Sequence, residues 1–146
     1  HFLDLFAGSG ALGIECISRG AKHCVFCDKS YEASQMILRN IEKTRMQEQS
    51  TMIQKDYKKC IERLKGEPFD IIFIDPPYRL DIAIDAIKRI VENHLLTEEG
   101  VIVLETDDEQ RELQELEKIK EAGIRLEVED VRKYGRVKLI FLHERG

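Results

Sequence analysis

The run FDIIFID at residues 69–75 constrains this chain more than any other stretch. Its apolar side chains follow one another without the alternation of a half-solvated strand, which predicts a central parallel strand covered on both faces. Parallel neighbours need crossovers, and crossovers are usually helices. The apolar runs HFLDLF, HCVFCD, STMIQKD and GVIVLE alternate with segments of helical period. ALGIECISR stops at Gly20, and SYEASQMILRNIEKTR has Ser30 as its N-cap with Ala33, Ile37 and Ile41 on one face. YKKCIERLK closes at Gly66, DIAIDAIKRIVENHLL follows the central strand, and DEQRELQELEKIKEAG turns Leu113, Leu116 and Ile119 inward. IRLEVEDVRKYGRVKLIFLHE has two β-rich runs about Tyr134-Gly135, the pattern of an antiparallel hairpin. The expected fold is α/β: a doubly wound, mostly parallel, seven-stranded Rossmann-like sheet with an antiparallel C-terminal hairpin, one domain over residues 1–146.

With 42% hydrophobic and 35% charged residues, the composition is that of a soluble globular chain and not a disordered one. No apolar run reaches the ~20 residues of a membrane span, and no secretory signal is visible, so a cytoplasmic location without membrane contact is expected. The chain opens on His1 and enters a strand at once, which leads us to expect a fragment whose natural N-terminus lies upstream. A net charge of −5 argues against broad, charge-driven nucleic-acid binding but leaves room for a local basic patch. Cys24 and Cys27 form C-x-x-C inside a strand, where positions i and i+3 point to opposite faces, so no metal or redox pair is expected. Cys16, Cys24, Cys27 and Cys60 read instead as four small buried thiols.

Gly8, Gly10 and Gly13 in DLFAGSGALGIE spell G-x-G-x-x-G directly after the first strand. Such a bend lets a ligand approach the backbone where parallel strands end. Asp28 closes the second strand 20 residues after Gly8, placed to accept from the ribose hydroxyls of an adenosine. NAD and S-adenosylmethionine (SAM) fit these features alike. Asp4 tilts the choice: a carboxylate near a strand exit is costly to bury without a partner, and a methionyl ammonium would supply one where a pyrophosphate would be repelled. The plainer alternatives are that the glycines serve packing, that Asp28 helps begin the next helix, and that Asp4 caps a turn through water.

DPPY, Asp75 to Tyr78, ends the central strand at the same edge of the sheet. Pro76 and Pro77 stop the ladder and lock the backbone, fixing where the Pro76 carbonyl points. An exocyclic amine on a nucleobase is a poor nucleophile because its lone pair is delocalised into the ring. Two fixed acceptors, the Asp75 carboxylate and the Pro76 carbonyl, would favour the pyramidal form with an available lone pair. Tyr78 could stack on an extruded base. The bland reading is a Pro-Pro turn that Asp75 merely caps.

LDLFAGSGALGIECISRGA followed by FDIIFIDPPY resembles the bacterial RsmD-like family, the 16S rRNA guanine-N2 methyltransferases. The likeness extends to ILRNIEK and KYGRVKLIFL and covers essentially the whole chain. It implies a SAM-dependent methyltransferase domain that acts as a monomer, without metal, on 16S rRNA or the assembling small subunit. By the same resemblance Asp4, Gly8 and Gly10, with Ser9 in the bend, would line the methionine part of SAM. Asp28, with Lys29 beside it, would meet the ribose; Asp56 would receive the adenine amino group, with Tyr57 adjoining; Asp75, Pro76, Pro77 and Tyr78 would form the target-base site. Asp28 stands where similar proteins more often carry glutamate, so its reach is one methylene shorter. Family members carry a basic segment ahead of the first strand that has no counterpart here, and the remaining basic candidates for RNA are Lys29, Arg79, Arg132, Lys133, Arg136 and Lys138. Rival readings are a DNA adenine-N6 or cytosine-N4 methyltransferase, an NAD oxidoreductase, and a non-catalytic SAM- or RNA-binding domain.

Overall fold

The computed structural model describes residues 1–76 and 82–145. Seven strands make one sheet: β1 (Phe2–Asp4), β2 (Cys24–Cys27), β3 (Ser50–Ile53), β4 (Phe69–Ile74), β5 (Leu96–Thr106), β6 (Leu126–Tyr134) and β7 (Val137–Glu144). The helices are α1 (Ala11–Ser18), α2 (Tyr31–Lys43), α3 (Tyr57–Arg63), α4 (Ile82–Glu92) and α5 (Glu109–Glu121). The strand order is β3-β2-β1-β4-β5-β7-β6. All pairings from β3 to β5 are parallel, and β7 is antiparallel to both of its neighbours, so β6 runs with the parallel set. The expected doubly wound sheet with a terminal hairpin is therefore what forms.

Period-two alternation sorts the core onto two faces. Leu3, Val25 and Cys27 face one cluster with Ile72, Ile74, Ile87, Ile90 and Ile102, under α3, α4 and α5. Phe2, Cys24 and Phe26 face the other with Ile17, Ile37 and Ile41 from α1 and α2. Ser30 caps α2 as expected, its Oγ accepting from the Ala33 N–H at 3.1 Å.

Two expectations need correction. The central strand is not covered on both faces: Ile71 on β4 is 41% exposed. Val101, Val103 and Phe141 share that open face, because α1 and α2 pack over β1, β2 and β3 and do not reach it. Nor are all four cysteines thiols. Cys24 and Cys27 do diverge to opposite faces, but Cys27 forms a disulfide with Cys60, with Cα atoms 6.7 Å apart. Cys60 lies on the inward side of α3, across from the end of β2, so residues 33 apart in sequence meet. Cys16 and Cys24 remain free.

The strand order reverses between β1 and β4. After β1 the chain builds outward through β2 and β3, then returns to place β4 on β1's other side. Ligand crevices in such sheets open at the carboxyl ends of the strands at this switch. Asp4 pairs with Phe73, and the Leu5 N–H donates to the Phe73 carbonyl at 3.2 Å, which brings the glycine bend and Asp75 out at the same edge.

Candidate functional site

Each glycine of the bend has a separate task. Gly8 has φ +59°, and a Cβ placed there would meet nothing within 4 Å, so its backbone is open to approach. Gly10, at φ +81°, is buried, and a Cβ on it would press on Ile37 at 3.2 Å. A Cβ on Gly13 would fall 2.4 Å from the Phe26 ring and 2.6 Å from Cys24 Sγ. The third glycine thus sets the approach of α1 to β2.

Asp28 holds this bend in place. Its Oδ2 accepts from the Gly8 N–H at 3.0 Å and its Oδ1 from the Ser30 N–H at 2.9 Å. The reading in which Asp28 helps begin the next helix is therefore correct, and it is compatible with the ligand reading: a carboxylate has about four acceptor positions, and two are engaged. Asp56 has the same double character. It is the N-cap of α3, its Oδ1 accepting from the Lys59 N–H at 3.0 Å.

Gly8, Asp28, Lys29, Asp56, Tyr57 and Asp75 line one cavity of about 580 Å³, with Leu5 and Phe6 on its wall. Ser9 and Gly10 turn toward the helices: Ser9 Oγ accepts from the Ala11 N–H at 3.3 Å and its carbonyl from Asn40 Nδ2 at 2.9 Å. Tyr57 is fixed by two contacts that the sequence did not announce. Its hydroxyl donates to Asp85 Oδ2 at 2.7 Å, and its ring lies 5.6 Å from that of Phe6. Arg89 holds the same Asp85 oxygen at 2.7 Å, and the i, i+4 spacing of Asp85 and Arg89 on α4 was the available signal.

Asp4 is buried, 3% exposed, beneath the bend. Burial pushes its carboxyl up to about 7, the Phe6 backbone N–H pulls it partly back, and the carboxylates of Asp75 and Asp28 add to the rise. The charged groups acting on it are thus anions, an environment that favours an arriving cation.

A second cavity of about 430 Å³ adjoins at Asp75 and is lined also by Pro76, Glu105, Glu112 and Arg136. Glu105 was missed in the sequence. Ile74 pairs with Leu104, so the next residues, Asp75 and Glu105, leave β4 and β5 side by side with their carboxyl groups in reach of each other. Both carboxyls are raised, chiefly by burial, and Glu105 further by the Asp75 charge. The signal was present in GVIVLE, an apolar strand ending in a carboxylate just as FDIIFID does.

Among the basic candidates, Lys29 and Arg136 line the two cavities. Lys133 and Lys138 pair with Glu109 at 3.3 and 3.8 Å, and Arg132 with Asp130 at 2.9 Å. Pro77, Tyr78 and Arg79 lie outside the described residues.

The chain is similar to other proteins in sequence and in fold. A sequence family described as "Conserved hypothetical protein 95" matches residues 1–143. A Bacillus subtilis protein named as a candidate rRNA methyltransferase, YlbH, is 37% identical over 109 residues, covering 73% of this chain and 59% of that protein. Ribosomal RNA small subunit methyltransferase D of Haemophilus influenzae is 33% identical over 107 residues, covering 72% of this chain and 55% of its own length. The chain thus spans little more than half of these relatives. A solved structure from Streptococcus pyogenes, titled a conserved hypothetical protein, superposes with a TM-score of 0.80 at 28% identity, covering 99% of this chain and 85% of the other.

Proposed function

The chain belongs to the conserved hypothetical protein 95 family, and from that premise we propose that it is the methyl-transfer domain of a SAM-dependent enzyme acting on the exocyclic N2 amine of a guanine in small-subunit rRNA. The observation that carries this reading is the meeting of two cavities at Asp75: one lined by Gly8, Asp28 and Asp56, the other by Pro76 and Glu105. A donor and an acceptor of a methyl group need that adjacency.

The first cavity suits SAM better than a dinucleotide. Gly8 admits close approach of a ligand to backbone, and Asp28 and Asp56 keep acceptor capacity for the ribose hydroxyls and the adenine amine. Asp4 and Asp28 would repel a pyrophosphate but attract an ammonium. Bound SAM supplies a methyl group already activated on sulfonium. The chain's own part is positional. The Asp75 carboxylate and the Pro76 carbonyl accept from the amine, orient its lone pair toward the first cavity, and exclude water from the approach. In this reading Tyr78 stacks on the extruded base, an assignment resting on sequence alone. Arg136, exposed on the hairpin turn at the rim of the second cavity, contacts RNA phosphate.

The test is transfer of labelled methyl from SAM to small subunits lacking the modification, to naked 16S rRNA and to plasmid DNA, followed by mapping of the labelled nucleotide. Label on guanine N2 in rRNA is expected. Label on DNA adenine or cytosine, or SAM binding without transfer to any of these, overturns the proposal.

A further inference from the structure

We propose that Glu105 selects guanine over the other amine-bearing bases, receiving the ring N1–H while Asp75 receives the N2 amine. The proposal rests on the reading above, in which the cavity beside Asp75 takes the target base. It adds a role for a residue to which neither the glycine bend nor the DPPY motif points.

The geometry comes from strand pairing. Register between β4 and β5 sets Asp75 and Glu105 abreast at the carboxyl ends of neighbouring strands, and both open onto the cavity that Pro76 also lines. Their carboxyl groups lie in reach of each other. A carboxylate only accepts, and a proton shared by two carboxyls stays between them. In either state the pair turns acceptor oxygens, and no donor, toward the cavity.

Among the bases, only guanine presents the matching edge. Its N1–H and N2 amine are adjacent donors on the Watson–Crick side, the edge on which extruded bases are read. Adenine and cytosine also carry an amine there, but the ring nitrogen next to it is bare and has a lone pair. Against Glu105 that lone pair faces another lone pair, and the hydrogen bond that guanine makes there is lost. Asp75 alone, holding one amine, does not distinguish the three bases. Asp107 after β5, Glu112 on α5 and Arg136 on the hairpin turn also line this cavity.

The experiment uses the mapped target nucleotide in a synthetic RNA carrying either guanosine or 2-aminopurine riboside, which has the same amine but no N1–H. Wild-type protein should transfer methyl to the guanosine RNA about 10- to 100-fold faster. In Glu105→Gln the amide can rotate its NH₂ toward a bare ring nitrogen, so the ratio should collapse toward one or invert. SAM affinity by calorimetry should stay unchanged, which also reports that the variant is folded. Should the variant turn over too slowly, the ratio is read from binding of the two RNAs in the presence of S-adenosylhomocysteine. A ratio unmoved by Glu105→Gln overturns this proposal alone. A wild-type protein that binds SAM but methylates no RNA overturns the reading of the site and this inference with it.

Discussion

The two cavities that meet at Asp75 are built in opposite ways. In the first, the carboxylates are already bonded to the chain's own backbone: Asp28 secures Gly8 and Ser30, and Asp56 caps α3. In the second, Asp75 and Glu105 stand against each other at the ends of β4 and β5. The difference teaches that a helix cap and a ligand contact are not rival explanations for one residue. Where backbone amides have organised a carboxylate, its remaining lone pairs arrive pre-aimed. Where two carboxyls stand against one another, their mutual repulsion favours a ligand that brings its own donors. Residues of the first cavity should therefore serve fold and binding together, and those of the second should serve chemistry with little effect on the fold.

The largest effect that could break this contrast is at Asp75. Asp75→Ala should lower turnover by about 10²–10³-fold while SAM affinity changes by less than about 3-fold. Parallel loss of both in single-turnover kinetics and calorimetry would make Asp75 part of the first cavity's scaffold and erase the distinction. Asp28→Ala sharpens it from the other side. The expected result is a rise in SAM Kd of about 10- to 100-fold, together with a loss of about 1–2 kcal/mol of stability as two backbone N–H groups lose a charged acceptor. Weakened binding with an unchanged denaturation midpoint would mean that the bend does not depend on Asp28.

Gly13→Ala asks whether the glycine phrase acts as one unit. The added methyl would overlap the Phe26 ring and Cys24 Sγ, so α1 must shift, costing about 1–3 kcal/mol in chemical denaturation. Affinity for SAM per folded molecule should hardly move, because Gly13 is not among the residues lining the cavity. A large loss of affinity at unchanged stability would return all three glycines to the ligand.

What could be read in the sequence follows the range of the interactions. Ser30 as a cap, Ile37 and Ile41 as a buried face, and the hairpin about Gly135 all depend on residues a few positions apart, and each took its expected place. Glu105, the Cys27–Cys60 disulfide and the Tyr57–Asp85 bond depend on which strand or helix lies beside which, and local spacing does not encode that. The open face at Ile71 was illegible for a related reason. An apolar run shows that a strand can be covered on both sides, but the reach of α1 and α2 decides whether it is. The convergence of the glycine bend and Asp75 was readable because both follow parallel strands, and parallel strands end at the same edge.

The smallest expected effect concerns the buried carboxylate at the end of β1. Burial raises Asp4 to about 7 from an ordinary 3.8. The folded state therefore holds this proton more tightly than the unfolded chain does. Asp4's contribution to stability is full below the ordinary value and is lost as pH rises toward 7. Asp4→Asn removes the penalty of a buried charge and should raise stability at pH 8. A cationic ligand has the opposite preference, since it gains only when Asp4 is ionised. SAM affinity should climb about tenfold from pH 6 toward 7.5 and fall again as the ligand's own α-amino group, near 7.7–8.0, loses its proton. The carboxyls of Asp75 and Glu105 are raised as well, so the rising limb is assigned by substitution: in Asp4→Asn it should flatten while the falling limb stays. If calorimetry across this range finds the rising limb intact in Asp4→Asn, the proton belongs to the second cavity. Asp4 would then be a buried acid with no part in holding the ligand, and the first cavity would owe its preference for a cation to Asp28.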